Sequence, residues 1–198
     1  PYYMKRKDKV VLLGDGAVGK TSLVRRFIID DFSDDYIATI GSKVSRKDLN
    51  IQGNTLTMMI WDVLGQHGYT RVQAGSFYGA TGALLVADLT RAETIRSLMT
   101  YWIPKLRKMA GDIPVMFLAN KSDLANDRDM SGVLLAQLAK SINSPLLITS
   151  AKTGANVPQA FYSLGEDILL KYEKKIPGPR PRFADTEVAT LMEATDFI

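Results

Sequence analysis

One stretch limits the possible folds of this chain more than any other: Val10-Val11-Leu12-Leu13-Gly14-Asp15-Gly16-Ala17-Val18-Gly19-Lys20-Thr21. An apolar run breaks into Gly-x-x-x-x-Gly-Lys-Thr, and Ser22-Leu23-Val24-Arg25-Arg26-Phe27 reads as the opening of a helix. Strand, glycine loop and helix in that order make a cradle for phosphate. Gly14, Gly16 and Gly19 allow the backbone to bend where a Cβ would clash. The amides of Asp15, Gly16, Ala17, Val18, Gly19, Lys20, Thr21 and Ser22 can then face phosphate oxygens, helped by the positive end of the helix. In this reading Lys20 reaches the outer phosphates and the Thr21 hydroxyl holds a Mg²⁺ ion.

The rest of the composition narrows the class without naming a chemistry. A chain of 198 residues, 46% apolar and 23% charged, suits one globular domain with a full core and a tail. The absence of cysteine excludes disulfides, thiolate metal sites, catalytic thiols and prenyl or palmitoyl attachment within these residues. No apolar run approaches the roughly 20 residues of a membrane span. Nothing before Lys5-Arg6-Lys7 reads as a secretory leader, so a cytoplasmic location is expected. A formal charge of +4 permits contact with anionic partners without arguing for it, and no nucleic acid is expected.

Apolar runs alternate with helical stretches along the chain. Lys9–Leu13 reads as a buried strand, and the glycine loop feeds a helix to about Ile29. Residues 30–41 are polar and acidic and read as irregular. Two strands follow near Lys43–Ile51 and Thr55–Trp61, joined by a hairpin turn at Gln52-Gly53-Asn54. Residues 62–75 are rich in glycine and read as a second irregular stretch. Ala83–Ala87 and Val115–Ala119 are continuous apolar runs, the mark of strands covered on both faces, and Leu146–Ile148 is a shorter one. Helices are expected near Ala92–Met109, Gly132–Ser141 and Val157–Lys174. The pattern is an α/β fold, a mostly parallel sheet with helices on both faces. Residues 1–7 are set apart as an N-terminal extension and 8–175 as the globular domain. Residues 176–198 form a proline-rich connector and a short tail in which Val188, Leu191 and Met192 repeat at helical spacing.

In an open parallel sheet ligands bind at the carboxyl ends of the strands, and four clusters stand there. Asp62 follows a strand and can hold Mg²⁺ through its water shell, while Gly65 offers an unobstructed N–H and Gln66 can orient a water. In Asn120-Lys121-Ser122-Asp123, the Asp123 carboxylate can accept from the N1 and 2-amino edge of guanine, a donor pair adenine lacks. The stem of Lys121 can cover a base and Asn120 can tie loops together. In Ser150-Ala151-Lys152 the Ala151 amide can meet a base carbonyl and the Lys152 stem can lie beside the ring. Thr39 offers a second hydroxyl ligand to Mg²⁺ and an amide to a γ-phosphate. Each cluster alone is an ordinary polar turn; in this order behind a glycine loop they form a set.

On these motifs the chain resembles Ras-superfamily small GTPases, and the Rab-like branch in particular. The resemblance covers about Lys9 to Lys174 and includes Phe77-Tyr78-Gly79-Ala80-Thr81-Gly82 ahead of the next strand. It implies a P-loop fold with six strands and five helices, in which the hairpin strands are the lone antiparallel pair. It also implies a switch I over 32–41 and a switch II over 62–76. Phe32 matches the aromatic beside the guanine, and Tyr36 the tyrosine that closes over the phosphates. The family usually has Thr-Ala between the switch II Asp and Gly, where this chain has Val63-Leu64, and Glu after the glutamine, where it has His67. Leu64 is read as hindering the place Gly65 takes, and His67 as a solvated residue rather than a base. No arginine reads as a built-in finger. With no prenylation cysteine in the chain, membrane association is expected to be weak or partner-mediated; Lys171, Lys174, Lys175, Arg180 and Arg182 could contribute.

The expectation is a Mg²⁺-dependent GTPase that converts GTP to GDP and phosphate. Lys20, Gly65 and Gln66 act in catalysis, and Thr21, Thr39 and Asp62 at the metal. Ile40, Trp61 and Tyr78 face effectors, and exchange factors and GTPase-activating proteins act through the switches. The alternative that keeps the fold is a guanine-nucleotide-binding scaffold whose hydrolysis is impaired at Val63-Leu64. An ATP-using nucleotide kinase and an RNA-associated GTPase are the more distant rivals.

Overall fold

The structure, a computed structural model, describes residues 5–29, 36–39, 42–68, 70–126 and 130–173. In chain order the elements are β1 (Lys5–Leu13), α1 (Lys20–Ile29), β2 (Tyr36–Thr39), β3 (Ser42–Ile51), β4 (Asn54–Val63), α2 (Thr70–Phe77) and β5 (Gly82–Asp88). They continue with α3 (Ala92–Ser97), a π-helical segment (Leu98–Trp102), α4 (Ile103–Ala110), β6 (Val115–Asn120), α5 (Ser131–Ser141), β7 (Leu146–Ile148) and α6 (Val157–Glu173). The chain divides into two compact units, Pro1–Ile168 and Leu169–Ile198; the described part of the second is the last turn of α6. Phe32, the residues of the proline-rich connector and the amphipathic tail lie outside the described residues. Among the described residues no helix is long and apolar enough to cross a membrane.

One sheet runs in the order β2-β3-β4-β1-β5-β6-β7. The parallel pairings of β1 with β4 and β5, of β5 with β6 and of β6 with β7 follow from the helical crossovers between them. All seven residues of β5 and all six of β6 are buried, which is why both read as unbroken apolar runs. The six strands implied by the resemblance are present, and β2 adds a seventh. It pairs antiparallel with β3, so there are two antiparallel pairings rather than one. The acidic lead-in hides β2 in the sequence; what makes it a strand is the free edge of β3. The stretch read as irregular over 62–75 also contains regular structure, since β4 continues to Val63, which is 1% exposed, and α2 begins at Thr70. At the other end β1 starts at Lys5, paired with Thr55, inside the segment set apart as an extension.

The core has a layer on each face of the sheet. On one face Val11, Leu13, Leu85 and Phe117 pack with Phe77, Leu98, Trp102 and Leu106. On the other, the rings of Phe27 in α1 and Phe161 in α6 stack at 4.0 Å and 1°. Gly82 lets α6 come close, for a Cβ there would stand 2.7 Å from Ile168 Cδ1.

Two local features aim the site. The far end of α1 is capped by a buried lysine of β3, since Lys47 Nζ donates to the Phe27 carbonyl at 2.6 Å. A cation at that end complements the helix dipole whose positive end faces the glycine loop. In the helical run from Ala92 to Ala110, the Ile103 amide bonds back to the Leu98 carbonyl, five residues earlier. This widened turn changes the face on which the following side chains emerge. Replacing Lys47 by Met keeps the stem and removes the charge; the expected loss is about 1–2 kcal/mol in urea unfolding.

Candidate functional site

The glycine loop leaves β1 between two neighbouring strand ends, with Leu12 in register with Asp62 and Leu13 with Leu85. Two glycines answer to close approaches. A Cβ on Gly14 (φ +148°) would collide with the Val86 carbonyl, and one on Gly19 (φ +104°) with the Asn120 amide. Gly16 differs from expectation, for a Cβ there would meet no protein atom within 4 Å. Lys20 is 6% exposed, and its Nζ donates to the carbonyls of Gly14 at 2.7 Å and Asp15 at 2.9 Å. Burial pushes its ammonium down to about 8, although Asp62 and Asp15 pull the other way.

Beside the loop lies an open cleft of about 470 Å³ lined by Gly16, Ala17, Lys20, Thr21, Lys43, Asp62, Val63, Leu64, Gly65 and Gln66. The Thr21 hydroxyl donates to Asp62 Oδ2 at 2.5 Å. Among the described residues no three His, Cys, Asp or Glu side chains cluster as a metal cage. One hydroxyl and one carboxylate beside a phosphate-sized cleft suit Mg²⁺, which keeps waters and shares its shell with phosphates. The donor set therefore fits that ion. Thr39 stands in β2 opposite Ser42, and Lys43 of the next strand is in register with Asp62. The side chains of Tyr36 and Thr39 lie outside the described residues.

Gly65 rests against the glycine loop. A Cβ on it would come within 2.5 Å of Gly16 N and the Asp15 carbonyl carbon, and 2.6 Å of Lys20 Nζ. Val63 completes β4 from inside the core, whereas Leu64 is 44% exposed at the cleft rim. The two unusual residues thus point different ways, and the tight fit belongs to Gly65 itself.

The base-side motifs assemble on the other flank of the loop. Asn120 Nδ2 donates to the Val18 carbonyl at 2.9 Å, and its Oδ1 accepts from Thr149 Oγ1 at 3.1 Å. One side chain thus ties the glycine loop to the end of β7. Ser150 Oγ donates to Asp123 Oδ1 at 2.6 Å and accepts from the Thr153 amide. Lys121, at φ +62°, has its Nζ 2.6 Å from Asp88 Oδ2. Burial alone would raise the Asp88 carboxyl, but Lys121 and the hydrogen bonds of Thr90 hold it below the usual carboxylate range. Ala151 is half-buried, and Lys152 and Ser22 are exposed.

His67 is exposed, as expected, with half of its side chain open to solvent, and it also makes contacts. Its Nε2 lies 2.9 Å from Asp15 Oδ1 and 2.9 Å from Ser97 Oγ, and its ring stacks on Tyr101 at 4.0 Å. Asp15 Oδ1 also accepts from Ser97 Oγ at 2.6 Å and Trp102 Nε1 at 2.8 Å. Burial would raise the Asp15 carboxyl; these three hydrogen bonds hold it low. Its side chain is therefore engaged with α3, the π segment and the stretch after β4, which leaves only its backbone to the glycine loop.

The sequence reading missed several of these partners. Gln73 in α2, 1% exposed, donates to the carbonyls of Gln66 at 2.6 Å and Leu64 at 3.2 Å, and accepts from Tyr101 and Lys105. Arg91 Nη1 donates to the Gly16 carbonyl at 3.2 Å, so an arginine does reach the loop. Ser97, Tyr101 and Lys105 stand four residues apart, a spacing that in sequence reads as an ordinary polar helix face.

Comparison with known proteins agrees with this geometry. A family model described as the Ras family matches residues 9–170. Ras-related protein Rab-8A of Bos taurus is 34% identical over 175 residues, 88% of this chain and 84% of that protein. Ras-related protein Rab-11C of Dictyostelium discoideum is 37% identical over 170 residues, 85% of this chain and 75% of that protein. Ras-related protein Rab-8B of Homo sapiens is 34% identical over 169 residues, 85% and 81% of the two chains. A glycine loop at the head of a mostly parallel sheet, guanine-type motifs at the strand ends and these relatives agree: the chain belongs to the Ras family and is a Rab-like small GTPase.

Proposed function

We propose that the chain binds GTP and GDP with Mg²⁺, hydrolyses GTP to GDP and phosphate, and reports the bound state through its switches. The observation that supports this best is the single cleft shared by Lys20, Thr21, Asp62, Gly65 and Gln66. Asp123 and Ser150 stand joined on the other side of the loop, where a guanine base would lie.

In the reaction a water attacks the γ-phosphorus, the bond to the β–γ bridging oxygen breaks, and GDP leaves. Thr21 and Thr39 would hold Mg²⁺, with Asp62 behind them, and the ion would supply neutralisation of the phosphate charge. Lys20 carries positive charge to the same oxygens from a largely desolvated position, where it acts strongly. Gly65 gives its amide to the γ-phosphate, and Gln66 orients the water. Asp123 accepts from the guanine edge while Ser150 holds the carboxylate in place. Loss of the γ-phosphate removes the contacts of Thr39 and Gly65, and both switches relax. Tyr78, 75% exposed, and Leu64 give apolar contact for effectors near switch II, whereas Trp61 is half-buried with Lys9 Nζ 3.8 Å from its ring. Exchange factors and GTPase-activating proteins would act on the same surfaces.

Single-turnover hydrolysis of GTP, with and without Mg²⁺, tests the reading. Gln66→Leu is expected to slow the step about 10- to 100-fold while leaving nucleotide affinity nearly unchanged. Tight binding without hydrolysis in the parent chain would instead select the scaffold reading. Asp123→Asn is expected to weaken GTP binding by about 100-fold without improving ATP binding. Equal competition by ATP and GTP against labelled GDP in the parent would refute guanine selectivity.

A polyphosphate beside Lys20 favours its charged form, so binding above pH about 8 should take up a proton and weaken as pH rises. Calorimetry at pH 8.5 (about half a unit above that value) in two buffers of different ionisation enthalpy reads the uptake directly. At pH 6.5 (about 1.5 units below it) the uptake should vanish.

A further inference from the structure

The cluster around Asp15 lies outside the phosphate cleft, and its hydrogens can be assigned. An ionised carboxylate only accepts, so Asp15 Oδ1 receives donors from Ser97 Oγ at 2.6 Å, Trp102 Nε1 at 2.8 Å and His67 Nε2 at 2.9 Å. Ser97 has one hydroxyl hydrogen, spent on the shorter contact. In its 2.9 Å contact with His67 the serine oxygen must therefore accept. Both contacts of His67 Nε2 thus require that nitrogen to carry a hydrogen.

The π segment explains why the helix can supply two of the three donors. Ser97 and Trp102 are five residues apart, and in an α-helix such side chains diverge by about 140°. A turn closed by a bond from residue i to residue i+5 brings them back toward one face. Both then reach one carboxylate oxygen. From the other side the His67 ring lies on Tyr101, with 10° between the planes. The Tyr101 hydroxyl donates to Gln73, whose amide holds the Leu64 and Gln66 carbonyls. The backbone is therefore held on both sides of Gly65 and again at His67, the residue after Gln66.

We propose that His67 is a positioning residue for hydrolysis: its Nε2–H bond to Asp15 latches switch II to the outer side of the glycine loop and so sets where Gly65 and Gln66 meet the phosphate end of the cleft. This rests on the hydrolysis reading above. A glutamate at this position would aim a second carboxylate at Asp15 Oδ1, whereas a glutamine of the same size would keep an N–H donor.

His67 is the only histidine in these 198 residues, so the imidazole signals of this chain report one residue. Nitrogen–proton correlation spectra of the neutral ring are expected to show the Nε2–H tautomer. In single-turnover hydrolysis His67→Ala is expected to lose about ten-fold in rate with nucleotide affinity unchanged. His67→Gln should return to within about three-fold of the parent, and His67→Glu should fall to the alanine level or below. Glutamine and glutamate fill the same space, so a role in packing alone would not separate them. An Nδ1–H tautomer, or equal hydrolysis by the glutamine and glutamate variants, would overturn the latch. A parent chain that shows the Nε2–H tautomer but no hydrolysis would overturn the hydrolysis reading and the catalytic meaning of the latch, leaving the contact. The two failures are distinguishable.

Discussion

The burial of β1 on every side is the constraint from which the site follows. Val10 to Leu13 are fully buried, with β4 and β5 on the two edges and a packed layer on each face. A strand enclosed in this way can present polar groups only where it ends. Parallel pairing brings the ends of its neighbours to the same edge of the sheet. Asp62 arrives opposite Leu12, and Asn120 arrives opposite Asp88, which ends β5. Residues far apart in the chain thus meet at the glycine loop because strand register puts them there.

The loop is then held from three directions. Asn120 fastens it at Val18 and links it to Thr149. Lys20 folds back onto the carbonyls of Gly14 and Asp15, at the expense of a desolvated ammonium. Asp15 turns outward to Ser97, Trp102 and His67, joining the loop to the helical layer and to switch II. On the proposed function, a cradle held this firmly would have little left to order when a phosphate arrives, which is the physical content of preorganisation. The same fastenings give switch II a defined seat, because Gly65 approaches the loop so closely that only a residue without a Cβ fits.

Legibility followed the source of each residue's conformation. β5, β6 and the strand before the loop could be read because strands buried on both faces need an unbroken apolar run. The P-loop could be read because its bends need glycine where a Cβ would strike Val86 or Asn120. β2 could not, since its partner edge lies in β3 and its own residues carry no alternation strong enough to announce it. Nor could α2, whose place depends on packing Gln73, Ser76 and Phe77 beneath it. His67 is exposed as expected, but its contacts could not be read because nothing near it in sequence pairs with it; its partners are 30 and 52 residues away.

By itself the sequence determined the fold class, the glycine loop and the order of the polar clusters along the strands. Those depend on local geometry and on the apolar pattern, both carried by consecutive residues. The tertiary structure alone decided the partners of Asp15, the reach of Arg91 to Gly16 and the hold of Gln73 on either side of Gly65. It also decided that Ser97 and Trp102 converge, because a π turn is a feature of backbone hydrogen bonding that side-chain spacing does not reveal. Such contacts depend on which helix face meets which loop, and that is settled only when the layers pack.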